Sequence, residues 1–283
     1  MVQGQANGQG VPGGSVLAPE SWQWVCDTAE RTVQALGASL FIEVHNPGRG
    51  SEPGSLTAIA AVRAFRAEIY HAGGRRPSFR APDGRFVDPD DADLHAYHII
   101  CRDRDGALAG CLRAAPGESL GSSPVAAHLG PGRTAEVIDG LGIDRTGLLE
   151  GGRLAVTATR RRGGVAAALM TVTLALARHI GRPVIWGTAG EGEGQYRFFT
   201  RFGYRVLPGS SAYVGTYDEN LCVVVHDQRA AAPPVAEAIR AVERSVFGAD
   251  GADGADGADG AGRADGQTGT AAAAATLPAR PPR

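Results

Sequence analysis

The stretch Arg160–Leu169, RRRGGVAAAL, sets three arginines and two glycines between the apolar run LAVTAT and a segment rich in alanine and leucine. If the first run is a strand and the second a helix, the loop feeds a helix N-terminus. Backbone N–H groups there lack internal partners, and the helix dipole adds partial positive charge. Glycines let such a backbone turn tightly and come close to a pyrophosphate. The stretch fits the pattern Arg/Gln-x-x-Gly-x-Gly/Ala, with Arg161, Gly164 and Ala166 in the three places. No Lys-Ser/Thr pair follows it, and the stretch does not fit Gly-x-Gly-x-x-Gly, so it is neither a Walker loop nor a dinucleotide fingerprint. A solvated turn is the plain alternative.

Other residues invite chemistry. Glu150, just ahead of the central apolar run, is a candidate general base or water relay; an ion pair with Arg153 or Arg113 that braces a sheet is the competing role. Arg113 and Arg153 have the forked geometry that grips a carboxylate. The acidic run Asp88–Asp93 reads first as a solvated loop and second as a substrate contact. His95 and His98 beside it suit a strand edge better than a metal, and no further ligand set is evident. Gly117-Glu118-Ser119-Leu120-Gly121 matches a nucleophile elbow, with Asp218 and His226 downstream. An elbow needs a buried strand running into it; Pro116 interrupts the approach.

These residues need elements to hold them. Helical spacing covers Trp22–Leu36, Leu56–His71, a weak Ala135–Leu141, the Val165–Ile180 stripe and Glu193–Phe202. Strands are expected at Ser39–His45, Leu94–Arg102, Ala107–Arg113, Gly152–Thr157, Pro183–Trp186, Tyr204–Leu207 and Asn220–His226. Hairpin strands followed by strand–loop–helix–strand–helix–strand imply an α/β (α+β) fold with a mixed, mostly antiparallel central sheet flanked by helices.

The chain has 283 residues, 43% hydrophobic, with a net charge of −2. That balance disfavours nucleic acid; no run is apolar enough for a bilayer, and no signal peptide is evident, so a cytoplasmic protein is expected. All 28 basic residues are arginine, which dilutes the meaning of any arginine cluster. The four scattered cysteines form no disulfide framework or zinc motif. Residues 1–18 and 248–283, the latter opening with Gly-Ala-Asp repeats, lack the apolar content for a core. Disordered ends are expected around one folded domain at 19–247.

In order, the loop, the Pro-Val-Ile-Trp run and Phe199-x-x-x-Gly203-Tyr204 resemble the coenzyme-A-binding core of the GNAT acyltransferase superfamily. Arg66-x-x-Ile69-Tyr70-x-x-x-Gly74, the Asp88–Asp93 run, Gly110-Cys-Leu-Arg113 and Glu150-Gly-Gly-Arg153 resemble its acyl-homoserine-lactone and N-acyl amino acid synthases. The resemblance implies an N-acyltransferase using an acyl-CoA or acyl carrier protein thioester as co-substrate, without a metal. It places Arg161, Arg162, Gly163, Gly164, Val165 and Ala166 at the donor, and Arg66, Arg113 and Arg153 at a small-molecule or peptide amine acceptor. A bulged backbone N–H near Val156 is implied for the oxyanion, and a gap between the strands at 152–157 and 183–186 for the pantetheine arm.

Two departures matter. The lactone synthases carry a Trp that HAGGRRPSF (His71–Phe79) lacks, which favours amino acids or other amines as acceptors. Many GNAT enzymes have a thiolate-protonating Tyr where this chain has Phe199, which leaves Tyr196, Tyr204 or solvent as proton source. A fold that binds acyl-CoA or a protein partner without turnover is the alternative. Arg178/Arg182 and Arg197/Arg201, both at i, i+4, are expected near the loop as a docking surface for an acidic carrier protein.

Overall fold

The computed structural model describes residues 19–45, 53–118, 123–161, 163–192 and 194–248. The N-terminal 18 residues, Ser119, Arg162 and the tail from 249 onward lie outside them.

Among the described residues, eight strands form one sheet. β1 (Phe41–His45), β2 (Tyr97–Arg102), β3 (Leu108–Pro116) and β4 (Leu148–Val156) run antiparallel in sequence order; β5 (Val184–Gly190) follows β4 in parallel. Beyond β5 lies β8 (Glu219–Asp227), which also pairs with the short β6 (Arg205–Val206) and β7 (Ala212–Val214).

Against one face pack α1 (Pro19–Ala35), α5 (Val165–His179), α6 (Gln195–Thr200) and α7 (Pro233–Phe247). The other face carries α2 (Pro53–Ala72), α3 (Pro124–Leu129) and α4 (Pro131–Gly140) over two smaller clusters around Trp186 and Ile100.

Three expectations change. β4 begins at Leu148, ahead of the expected Gly152, because Leu148, Leu149 and Glu150 pair with Val184, Ile185 and Trp186. Gly151-Gly152 hides that continuity from a propensity reading. Secondly, α5 is buried far beyond a single stripe, from Ala168 to Ala177 without a break, since α1 and α7 cover its outer side. Its small Ala and Thr side chains permit that close approach. Lastly, α7 has no counterpart in the expected elements, although Pro233-Pro234, the Val235–Ile239–Val242 spacing and Gly248 signal a helix.

Candidate active site

The glycine loop lies between β4 and α5. Gly164 is the N-cap of α5 with φ +82°, a left-handed backbone that glycine adopts without strain. A Cβ built there would meet nothing within 4 Å, so the space above the loop is open. Arg161 is exposed beside it.

β4 and β5 pair only from Leu148–Val184 to Glu150–Trp186, yet both strands continue past that point. They splay there. At the fork the backbones nearly touch, for a Cβ on Gly187 would lie 2.5 Å from the Gly151 carbonyl oxygen. A register shift then puts Arg153 and Leu154 opposite the single residue Leu112, and Arg153 takes φ +56°. This is a β-bulge at Arg153–Leu154, two residues before Val156, which itself pairs regularly with Gly110. Beyond it the Thr157 N–H bonds the Ala109 carbonyl at 3.1 Å. Strand amides alternate in direction, so the Val156 N–H faces the other edge, towards the gap. Tyr70 donates across that edge to the Leu154 carbonyl at 3.3 Å. Burial, with Tyr217 adding to it, pushes the Tyr70 hydroxyl up to about 12.

Two cavities share Tyr70 and Leu154. The outer, about 250 Å³, runs from Arg161 and Ala166 along Val156. The inner, about 60 Å³, lies in the fork between Arg153, Trp186, Phe199 and Tyr204. Together they trace a path from the loop to the fork. Phe199 lines the inner cavity and has no hydroxyl to offer there. The Tyr204 hydroxyl has no hydrogen-bond partner among the described residues, and burial raises its pKa. Tyr196 does not line the fork; its hydroxyl accepts from Arg197 Nε at 3.2 Å. That removes it as the proton source nearest the path.

The arginines expected at the acceptor have other duties. Arg66 is fully buried, with Nε on Asp88 at 2.7 Å and Nη2 on Asp93 at 2.6 Å. Arg113, equally buried, donates to Asp90 at 2.6 Å. Neither lines either cavity, so neither is placed to hold a substrate. The supposed solvated run Asp88–Asp93 is their counterion set, since Asp88 and Asp93 are buried. Burial opposes the charge on Asp90 and Asp93, but the surrounding arginines win and hold both carboxyls below the usual range. Arg153 differs from the other two in reaching the cavity. It donates to Asp90 at 2.8 Å, lines the inner cavity and keeps Nε and Nη1 without hydrogen-bond partners among the described residues.

Glu150 lines neither cavity. Its carboxylate accepts from the Ser123 hydroxyl, the N-cap of α3, and touches neither Arg113 nor Arg153. Burial raises its pKa against the pull of Ser123 and the Arg113 charge. Ser123 was not legible as its partner, because 27 residues separate them.

The rival sites do not assemble. Asp218 accepts from the Tyr213 hydroxyl at 2.7 Å, and His226 lies against the Tyr204 ring at 5.1 Å. Eight residues apart along an extended strand, the two are roughly 26 Å from one another. His98 is buried and bonded to the Asp93 carbonyl, whereas His95 is exposed. No metal-holding group of His, Cys, Asp and Glu occurs among the described residues, and no helix there is long and apolar enough to cross a membrane. Arg178 and Arg182 sit at the far end of α5 from the loop, paired with Glu243 and Glu118. A helix of fifteen residues is about 22 Å long, so they are not beside the loop.

Residues 64–204 match the acetyltransferase (GNAT) family. No curated protein matches the chain in sequence. Among solved structures, the CoA-dependent acyl-homoserine lactone synthase BjaI, with SAM and isopentyl-CoA, is 18% identical. It aligns over 73% of this chain and 98% of its own at a TM-score of 0.50. An acyl-CoA N-acyltransferase from Pseudomonas aeruginosa is 17% identical over 66% of this chain and 99% of its own, at a TM-score of 0.45. At such identities the likeness to solved structures is one of fold. With the family match placed over the loop, the fork and the aromatic pair, the chain belongs through residues 64–204 to the acetyltransferase (GNAT) family and is an acyltransferase.

Proposed function

We propose that the protein is an N-acyltransferase moving an acyl group from a coenzyme A or acyl carrier protein thioester to the amine of an amino-acid-like acceptor. The observation that carries this reading is the pair of cavities that share Tyr70 and Leu154 and reach from Arg161 and Ala166, at either end of the glycine loop, to the β4–β5 fork, with the Val156 amide turned towards them. Pyrophosphate on the loop amides and a pantetheine arm along the path would bring the thioester carbonyl to that amide.

A neutral amine attacks the carbonyl, the oxyanion forms against the Val156 N–H, and collapse breaks the C–S bond as the C–N bond is completed. The departing thiolate takes the Tyr204 proton; the proton lost by the amine goes to solvent, from which Tyr204 is reprotonated. Glu150 is a positioning residue in this scheme, holding Ser123 at the start of α3. The carboxylate of the acceptor is held by Arg153. Four arginines (Arg63, Arg66, Arg113, Arg153) face three aspartates (Asp88, Asp90, Asp93) in the buried network. Four against three leaves one positive charge, and the unpartnered donors of Arg153 are where the network meets the cavity.

The test supplies the purified chain with acyl-CoA and acyl carrier protein thioesters and a panel of amino acids and simple amines. Free thiol is followed in solution and the N-acyl product by mass spectrometry. Amine-dependent thiol release that favours carboxylate-bearing acceptors is expected. Absence of release with every donor would overturn the proposal.

A further inference from the structure

Tyr70, near the C-terminus of α2, lines both cavities. Its ring meets Phe79 edge-on at 6.3 Å, and its hydroxyl donates to the Leu154 carbonyl at 3.3 Å. That carbonyl lies on the β4 edge beyond the point where the ladder to β5 has ended. Tyr70 supplies the donor that the ladder no longer does. A phenol has one proton and two lone pairs. With the proton committed to Leu154, the oxygen can only accept from whatever enters the cavity. Burial, with Tyr217 adding to it, pushes the hydroxyl up to about 12 against the pull of the Arg153 charge. At neutral pH that proton therefore stays in place. The Leu154 carbonyl and the Val156 N–H point to the same strand edge, two residues and roughly 6.6 Å apart along it. An oxygen that can only accept thus sits beside the amide turned towards the gap. Arg153, the cation at the inner cavity, has donors only and cannot receive an amine.

We propose that the Tyr70 oxygen accepts a hydrogen bond from the incoming amine and so aims the amine lone pair at the thioester carbonyl, which makes Tyr70 a catalytic residue. The inference rests on the acyl-transfer reading above and names the group that orients its nucleophile. As the C–N bond forms, the nitrogen gives its lone pair to the carbonyl carbon and positive charge grows on it. Its N–H bond to the Tyr70 oxygen tightens in step, so the contact is stronger in the transition state than in the ground state. The surplus proton on nitrogen then leaves to solvent, and Tyr70 keeps its own throughout. An amino acid is read at both ends, its carboxylate by Arg153 and its amine by Tyr70. A phenylalanine at this place fills the same space and offers no acceptor.

The experiment compares the intact chain with Tyr70→Phe and with a chain carrying 3-fluorotyrosine in place of Tyr70. Fluorine makes the phenol a stronger donor and a weaker acceptor, so it keeps the Leu154 bond and weakens the amine bond. Each protein is assayed by thiol release from acyl-CoA with the amino acid of the panel that turns over fastest. Each is also titrated calorimetrically with L-alanine, with propionate, which lacks the amine, and with coenzyme A. Circular dichroism checks the fold. Tyr70→Phe should lower kcat/KM for the amine by about tenfold to a hundredfold, the range of a hydrogen bond to a charged group, and leave coenzyme A affinity unchanged. The intact chain should bind L-alanine more tightly than propionate, and in Tyr70→Phe the two affinities should converge. The fluorotyrosine chain should fall between the other two. Unchanged kcat/KM in Tyr70→Phe would overturn the proposal, as would equal affinities for L-alanine and propionate in the intact chain. So would a fluorotyrosine chain as fast as the intact one, because the hydroxyl would then serve only the Leu154 carbonyl. If no donor releases thiol yet the L-alanine preference holds and is lost in Tyr70→Phe, acyl transfer fails and the amine contact stands.

Discussion

The rings of Phe199 and Tyr204 meet edge-on with centroids 5.7 Å apart at the wall of the inner cavity, and only Tyr204 carries a hydroxyl. The proton source expected at Phe199 is thus available one ring further along the chain. Tyr204→Phe should lower kcat by about a hundredfold, within the range of general acid catalysis, with little change in KM. Phe199→Tyr in that background should recover part of the loss. Burial raises the pKa of Tyr204, so the acid stays protonated through neutral pH and its loss marks the alkaline limb, above the ordinary tyrosine value of about 10. Thiol-release rates for the three proteins across pH provide the check; an unchanged kcat in Tyr204→Phe would remove the tyrosine from the mechanism.

Gly164→Val should weaken coenzyme A binding by more than Arg161→Gln does. The substitution strains a backbone at φ +82° and puts a branched side chain into the open space above the loop. Arg161→Gln removes one charge and leaves every loop amide in place. Titration calorimetry beside circular dichroism tests this. Unchanged affinity in a folded Gly164→Val protein would show that the loop does not hold the donor.

Asp93→Asn should destabilise the fold by about 3 kcal/mol, because it leaves Arg63, Arg66 and Arg113 with too little buried countercharge. The pH dependence follows from the same groups. Asp90 and Asp93 have folded pKa values below their unfolded ones, so their stabilisation is present above about pH 4 and lost as pH falls further. Burial lowers His226 to about 4. The unfolded chain therefore takes that proton first, and stability declines from about pH 6.5 downwards. Urea denaturation at a series of pH values would display both slopes, and Asp93→Asn should be flatter below pH 4.

Glu150→Gln should cost stability and leave kcat within about tenfold of the original. The Glu150 carboxylate is spent on the Ser123 hydroxyl at the start of α3 and does not line the path. Ser123→Ala should destabilise by about 1 kcal/mol through the lost cap. A kcat loss of a hundredfold or more in a folded Glu150→Gln protein would instead restore the residue as a base.

Much of this architecture is legible from local pattern. The apolar run, the Arg161–Ala166 loop and the α5 stripe announce a strand, a glycine turn and a helix, because periodicity and glycine placement are properties of neighbouring residues. Gly203 and Tyr204 mark the end of the α6 segment for the same reason. What the tertiary structure alone decided is which charges are spent. Arg66, Arg113 and Arg153 look identical in sequence and all three pair with aspartates more than twenty positions away, yet of the three Arg153 alone lines the inner cavity. The Glu150–Ser123 bond, the splay of β4 from β5 and the Tyr70–Leu154 bond are likewise long-range pairings. Burial and ion pairing depend on which segments the sheet order brings together, and no spacing along the chain encodes that order.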